Sequence, residues 1–236
     1  MIIATNVNKQ FGKLRVLNDI SVNCNKSQTI ALIGPNGSGK TTFIKCLLGM
    51  VIPDSGFITV NEKNIARDCQ YREHIGYMPQ ISRFPDNMTI EQVIDMVKDI
   101  RGKKSGLDME LVEAFGLPAL YKKKMRTLSG GTRQKVSACL AFIFDPAILI
   151  LDEPTAGLDP ISSEVLKEKI MKEKSRGKLT LVTSHVLSDL DDLVTEIIYL
   201  QDGSLKLHSS VANLRKDTGE EKLNKVIAKI MREQVK

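Results

Sequence analysis

A chain of 236 residues is long enough to bury a substantial core, and 42% apolar with 26% charged residues excludes a disordered or fibrous protein. The net charge of +6 is the balance of 34 basic and 28 acidic residues; the basic stretches at Lys103, Lys104, Lys122, Lys123, Lys124 and Arg126 read as solvated surface, with a nucleic-acid or anionic-membrane face as the alternative. Tryptophan is absent and aromatics reach only 5%, which argues against platforms that stack carbohydrate or single-stranded nucleic acid.

The four cysteines, Cys24, Cys46, Cys69 and Cys139, contain no C-x-x-C pair, so neither a zinc site nor a disulfide framework is expected. The opening MIIATNVNKQ has no basic segment followed by a long apolar stretch, so no signal peptide is read there. The most apolar stretch, VSACLAFIFDPAILIL, is broken by Asp145-Pro146 and does not span a bilayer as one helix. The chain is expected in the cytoplasm.

In chain order, IIATNV and RVLNDISVNC read as antiparallel strands leading into a buried strand, TIALIG. GPNGSGKT follows at residues 34–41, between that strand and the helical run TTFIKCLLGM. This is G-x-x-x-x-G-K-[ST] in the setting that gives it meaning: glycines turn backbone N–H groups inward on phosphate, and the helix N-terminus adds its dipole. Lys40 is placed to bridge the β- and γ-phosphates and Thr41 to offer its hydroxyl to Mg²⁺; Asn36, Gly37, Ser38, Gly39 and Thr42 complete the nucleotide-binding set.

A further strand and turn are expected at FITV and Asn61-Glu62-Lys63. Gln80, in IGYMPQ, follows a short strand, and its neutral amide can ligate Mg²⁺ and position water. Thr89 with Gln92 three residues on forms a capping box, followed by a helical stripe of Ile90, Val93, Ile94, Val97 and Ile100. A second short helix, roughly 109–115, should stop at Gly116-Leu117-Pro118. LSGGTRQ, at 128–134, then opens another helical run with a serine and two glycines, a bare N-terminus suited to an anion that no nearby residue supplies.

ILILDEP places Asp152 and Glu153 at the carboxyl edge of a buried strand, where ligands of open α/β sheets sit. Asp152 suits Mg²⁺ held through water, and Glu153 suits a base that orients and deprotonates the attacking water. The helix SSEVLKEKIMKEKS separates this strand from LTLVTS, whose end carries His185, an imidazole able to donate to a γ-phosphate. His74 and His208 carry no such signal. IIYLQDGSLKL turns at Asp202-Gly203, and a charged helical tail follows over 209–236. The whole reads as one α/β domain over 1–236: a P-loop (RecA-like) core, an antiparallel β subdomain, and a helical subdomain inserted over about 85–145.

In this order, GPNGSGKT, Gln80, LSGG, ILILDEP, Gly157-Leu158-Asp159 and His185 closely resemble the ATP-binding subunits of ABC transporters, over nearly the whole chain from Ile2 to about Leu207. The specific element is LSGG one helix before the acidic strand. The resemblance implies ATP and Mg²⁺ as cofactors and two subunits, expected to be a homodimer, facing each other head to tail. Each ATP then lies between one phosphate loop and the partner's Ser129, Gly130 and Gly131. It further implies that Phe11 stacks on adenine, that Val16 packs near base or ribose, and that Leu158 and Asp159 lie across the seam. The stretch after Gln80 would receive a coupling helix from an integral membrane permease, which places the protein peripherally on the inner face of the cell membrane. No direct nucleic-acid contact is implied.

Two positions depart from the family pattern. Thr132 stands where glutamine is usual, too short both to complete a capping box with Ser129 and to reach ribose, and Phe11 stands where tyrosine is usual. QISRFPDNMTIEQVIDMVKDIR and TGEEKLNKVIAKI resemble exporter-type subunits handling drugs, lipids or polysaccharide. They are also similar to the ATPase of the copper-processing transporter that matures nitrous-oxide reductase. The alternative is a soluble ABC ATPase acting on ribosomes or DNA; those resemble the same motifs but generally carry two cassettes or long coiled-coil insertions.

Overall fold

The computed structural model describes residues 1–66, 68–184 and 186–233. The chain forms two compact units, residues 1–72 with 181–236 and residues 73–180.

The first unit opens with a hairpin of β1 (Ile2–Phe11) and β2 (Leu14–Cys24), in which Phe11 pairs with Leu14 across a turn containing Gly12 at φ 58°. Alternation puts Ile2 and Ala4 inside and leaves Ile3 outside, as a half-buried antiparallel strand requires, and an irregularity at Asn6 (φ 48°) shifts the register so that Val7 is buried next. β4 (Ser55–Val60) adds to the other edge of β1, and β5 (Lys63–Asn64) closes the sheet in the order β2-β1-β4-β5. Asn61 and Glu62, both at positive φ, make the tight turn between the last two strands.

β3 (Thr29–Ile33) is buried at all five residues and pairs parallel with β9 (Glu196–Gln201), the run expected of a strand covered on both faces. β10 (Ser204–Ser210) returns antiparallel to β9 through Asp202 and Gly203, at φ 49° and 71°, the left-handed pair that a two-residue hairpin needs. α1 (Lys40–Leu47) follows β3. The tail folds as α6 (Val211–Thr218) and α7 (Leu223–Glu233), with Leu223, Val226 and Ile227 buried.

In the second unit β6 (Ile75–Met78) and β7 (Ile148–Asp152) pair in parallel, Ile75 opposite Ile148 and Met78 opposite Leu151. α2 (Ile90–Arg101) has the full capping box: Thr89 Oγ1 accepts from Gln92 N at 3.3 Å and Gln92 Oε1 from Thr89 N at 2.9 Å. α3 (Glu110–Ala114) is a residue shorter at each end than its periodicity predicts, because Met109 and Phe115 leave helical geometry as its caps. α4 (Gly130–Phe142) runs from the LSGG segment and packs on β6. A Cβ on Gly76 would stand 2.0 Å from Ala141 O, so only glycine lets the two backbones approach so closely.

α5 (Pro160–Ser175) carries an ionic cluster that the sequence reading does not anticipate. Lys169 and Glu173, 3% and 0% exposed, pair at 2.8 Å, and Lys169 also reaches Asp108 at 2.6 Å and Glu110 at 2.7 Å. Arg176 and Lys178 join Glu173 to Asp145. Asp108, Asp145 and Glu173 lie close enough to hold a cation, and the lysine and arginine heads already serve that purpose. β8 (Leu179–Thr183), buried throughout, carries the chain back to the first unit.

Candidate nucleotide site

The first unit supplies the phosphate loop. Gly34, Gly37 and Gly39 sit at φ 150°, 79° and 100°, which side-chain-bearing residues rarely adopt. A Cβ on Gly34 would stand 2.1 Å from Leu200 O, and one on Gly39 would stand 2.7 Å from Val16 O. Lys40 Nζ donates to Gly34 O at 2.7 Å and Pro35 O at 3.0 Å, so its ammonium is held over the loop's own backbone. Ser38 is 2% exposed and its hydroxyl finds no hydrogen-bond partner among the described residues. A buried hydroxyl left in this condition fits a phosphate oxygen. α1 begins with no side-chain cap and no acid in its first turn, so its positive end is uncompensated.

Val16 and Phe11 belong to the same unit. Val16 O lies so close to both Gly39 and Gly203 that a Cβ on either would stand 2.7 Å or less from it, so β2 passes directly against the loop. Phe11 is 50% exposed at the hairpin tip, with Lys9 Nζ 5.3 Å from its ring centroid. A half-exposed ring on a rigid two-residue hairpin offers a flat face to a base.

The second unit supplies the acids. Asp152 ends β7 at 7% exposure, and its negative charge is felt at Tyr77, whose hydroxyl is pushed up by burial first and by Asp152 second. Glu153 adopts φ 52°, a left-handed conformation uncommon outside glycine and concentrated at functional sites. Its carboxylate accepts a hydrogen bond from Gln80 Nε2 at 2.7 Å, and its carbonyl accepts one from Gln134 Nε2 at 3.4 Å. The two amides therefore fix both the backbone and the side chain of Glu153.

The start of α4 is in the same unit. Ser129 is the N-cap, its Oγ accepting from Thr132 N at 3.2 Å and lying 2.9 Å from Thr132 Oγ1. Gly131 cannot carry a Cβ, which would meet Gly157 O at 2.6 Å, whereas a Cβ on Gly130 would meet nothing within 4 Å. Asp159 caps α5, accepting from Ser162 N at 2.9 Å and Ser162 Oγ at 2.8 Å, and pairs with Lys135 of α4 at 2.8 Å. Lys135 first, then the two Ser162 bonds, hold the Asp159 carboxyl far below the usual carboxylate range. The glycine contact and the ion pair join the LSGG helix to the 157–159 loop. A cavity of about 620 Å³ lies beside this block, lined by residues that include Gln80, Phe84, Gly131, Arg133 and Gln134.

The sequence-predicted residues thus fall into two sets. Phe11, Val16 and residues 36–42 lie together in the first unit, and Gln80, residues 129–131, Asp152, Glu153 and Asp159 lie in the second. His185 lies outside the described residues. Sequence reasoning missed Gln134 and Lys135. The available signal was their position one turn into a glycine-opened helix, where polar side chains face the helix start.

A family model described as ABC transporter matches residues 17–156. The chain is 32% identical to the lantibiotic transport ATP-binding protein SrtF of Streptococcus pyogenes, over 88% of this chain and 90% of that one. It is 31% identical to the Nod factor export ATP-binding protein I of Burkholderia lata, over 84% of this chain and 67% of the relative. A solved structure of the ATP-binding subunit of an ABC transporter superposes with a TM-score of 0.89 at 25% identity, covering 98% of this chain and 99% of that one. The chain belongs to the ABC transporter family, as one of its ATP-binding and ATP-hydrolysing subunits.

Proposed function

We propose that two copies of this chain close head to tail on two ATP molecules and that hydrolysis reopens them, driving a membrane permease that exports its cargo. The observation that carries this reading is the Gln80–Glu153 pair. Because the amide nitrogen of Gln80 is committed to Glu153 at 2.7 Å, its oxygen is the end left for a cation.

In this reading Thr41, Gln80 and Asp152 hold Mg²⁺, the last through water; hydroxyl, amide and carboxylate oxygens are the hard donors that ion prefers. Bound Mg²⁺ supplies neutralisation of charge on the β- and γ-phosphates. Lys40 and the loop N–H groups bind the phosphates, Phe11 stacks on adenine and Val16 packs beside it. Glu153 takes the proton of the attacking water, and His185 donates to the γ-phosphate. Ser129, Gly130 and Gly131 reach the same phosphate from the second copy, with Leu158 and Asp159 at the seam. Their support is an exposed helix start with no acid in its first turn and open space beside Gly130.

In this reading the path across the membrane belongs to a separate permease; no helix among the described residues is long and apolar enough to cross one. The stretch after Gln80 is where it docks, at the inner face of the membrane. The relative named for Nod factor export supports the outward direction. The test is Glu153→Gln with ATP and Mg²⁺. The expected result is a stable ATP-bound dimer with phosphate release nearly abolished; unchanged turnover removes Glu153 from the role of base. ATPase stimulated by ribosomes or DNA and indifferent to a permease would favour the non-transport alternative.

A further inference from the structure

The α2 and α4 starts have the same cap position filled by a hydroxyl residue, yet the residue three positions on does different work. In α2 the Gln92 side chain reaches the cap's backbone N–H and leaves the Thr89 hydroxyl alone. In α4 the Thr132 side chain reaches the cap hydroxyl itself: Thr132 Oγ1 lies 2.9 Å from Ser129 Oγ, which also accepts from Thr132 N at 3.2 Å.

A serine hydroxyl has two lone pairs and one proton. The Thr132 N–H occupies one lone pair. When the Thr132 hydroxyl donates as well, both are filled, and the Ser129 proton is the only group left to face outward. With the opposite rotation the Ser129 proton is spent on Thr132, and a bare lone pair faces outward. An anion at the helix start selects the first arrangement, because it accepts a proton and is repelled by a lone pair. The switch costs only rotation of two hydroxyls, and polarisation along the Thr132–Ser129 chain strengthens the outer bond.

We infer that Thr132 is a positioning residue that makes Ser129 an obligate hydrogen-bond donor to the terminal phosphate of the nucleotide bound by the second copy. This rests on the proposed placement of Ser129 against that phosphate. The threonine at this position then substitutes a hydroxyl relay for the reach of a longer amide side chain.

The test is a double-mutant cycle on the full chain with its permease. Thr132→Val removes the hydroxyl while keeping the shape and the backbone N–H that caps through Ser129. The expected result is a kcat roughly 3- to 10-fold lower, the scale of one neutral hydrogen bond. ATP binding to the single chain and the melting temperature should not change. Thr132→Ser should restore turnover. In a Ser129→Ala background, Thr132→Val should have no further effect. Wild-type turnover in Thr132→Val, or effects of the two substitutions that simply multiply, would overturn the relay while leaving Ser129 at the phosphate. Full turnover in Ser129→Ala would overturn both.

Discussion

Gln80 donates to Glu153, amide Nε2 to carboxylate Oε1, at 2.7 Å. One hydrogen bond therefore joins the residue proposed to meet the metal and the residue proposed to take the water's proton. With its nitrogen so engaged, Gln80 cannot turn its oxygen toward the carboxylate, and the amide is oriented before a nucleotide arrives.

Gln80→Ala should lower kcat by roughly 10- to 100-fold, the usual effect of losing a group that orients a metal-site residue. ATP affinity should change little, because the phosphate loop in the other unit keeps its contacts. Steady-state hydrolysis alongside equilibrium nucleotide binding separates the two. A loss confined to binding would contradict the assignment.

Phe11→Ala should raise KM for ATP about tenfold with kcat retained, since base stacking on an aromatic is worth ~1–3 kcal/mol. Phe11→Tyr should be neutral, because the ring does the work. Steady-state hydrolysis measured across ATP concentrations checks both. Equal KM values for Phe11→Ala and the unaltered chain would remove Phe11 from the base.

The buried ionic cluster makes a stability prediction with a defined sign. Burial pushes the Glu173 carboxyl up, but Lys169 and Lys178 outweigh it and hold it below its ordinary 4.5; Lys178 does the same for Asp145, and Lys169 for Glu110. A carboxylate depressed in the folded state contributes stability that is complete above its ordinary value and lost as pH falls through the folded one. The melting temperature should therefore fall below about pH 4.5. Lys169→Met should cost ~3–5 kcal/mol at neutral pH by stranding buried acids. The gap between variant and unaltered chain should narrow in acid, as those acids take up protons. Thermal melts from pH 7 to 2 give the answer, and a gap that widens in acid would contradict it.

The parts legible in the sequence are those in which neighbours along the chain do the chemistry. The phosphate loop, the acids closing ILILD, the Thr89–Gln92 box and the Asp202-Gly203 turn each depend on a few consecutive residues, and each stands where the pattern puts it. The left-handed Glu153 and its clamp by Gln80 and Gln134 were not legible, since they join positions 73 and 19 residues apart. The ionic cluster was half visible. Lys169 and Glu173 are spaced one helical turn apart, but their burial is decided by Asp108, 61 residues away. Periodicity reports which face of a helix is apolar, not which buried charge a distant loop will neutralise.

The central claim, that each catalytic site is built from two chains, is tested most directly by mixing two inactive variants. Lys40→Ala disables the phosphate loop and Ser129→Arg blocks the helix start, and each should form dimers with no working site. Mixed dimers contain one site that joins the intact loop of the second variant to the intact LSGG of the first. The account predicts that ATP hydrolysis, absent from either protein alone, returns on mixing and scales with the mixed-dimer fraction. Mixed dimers that form and remain inactive, or a Ser129→Arg chain fully active alone, would contradict it.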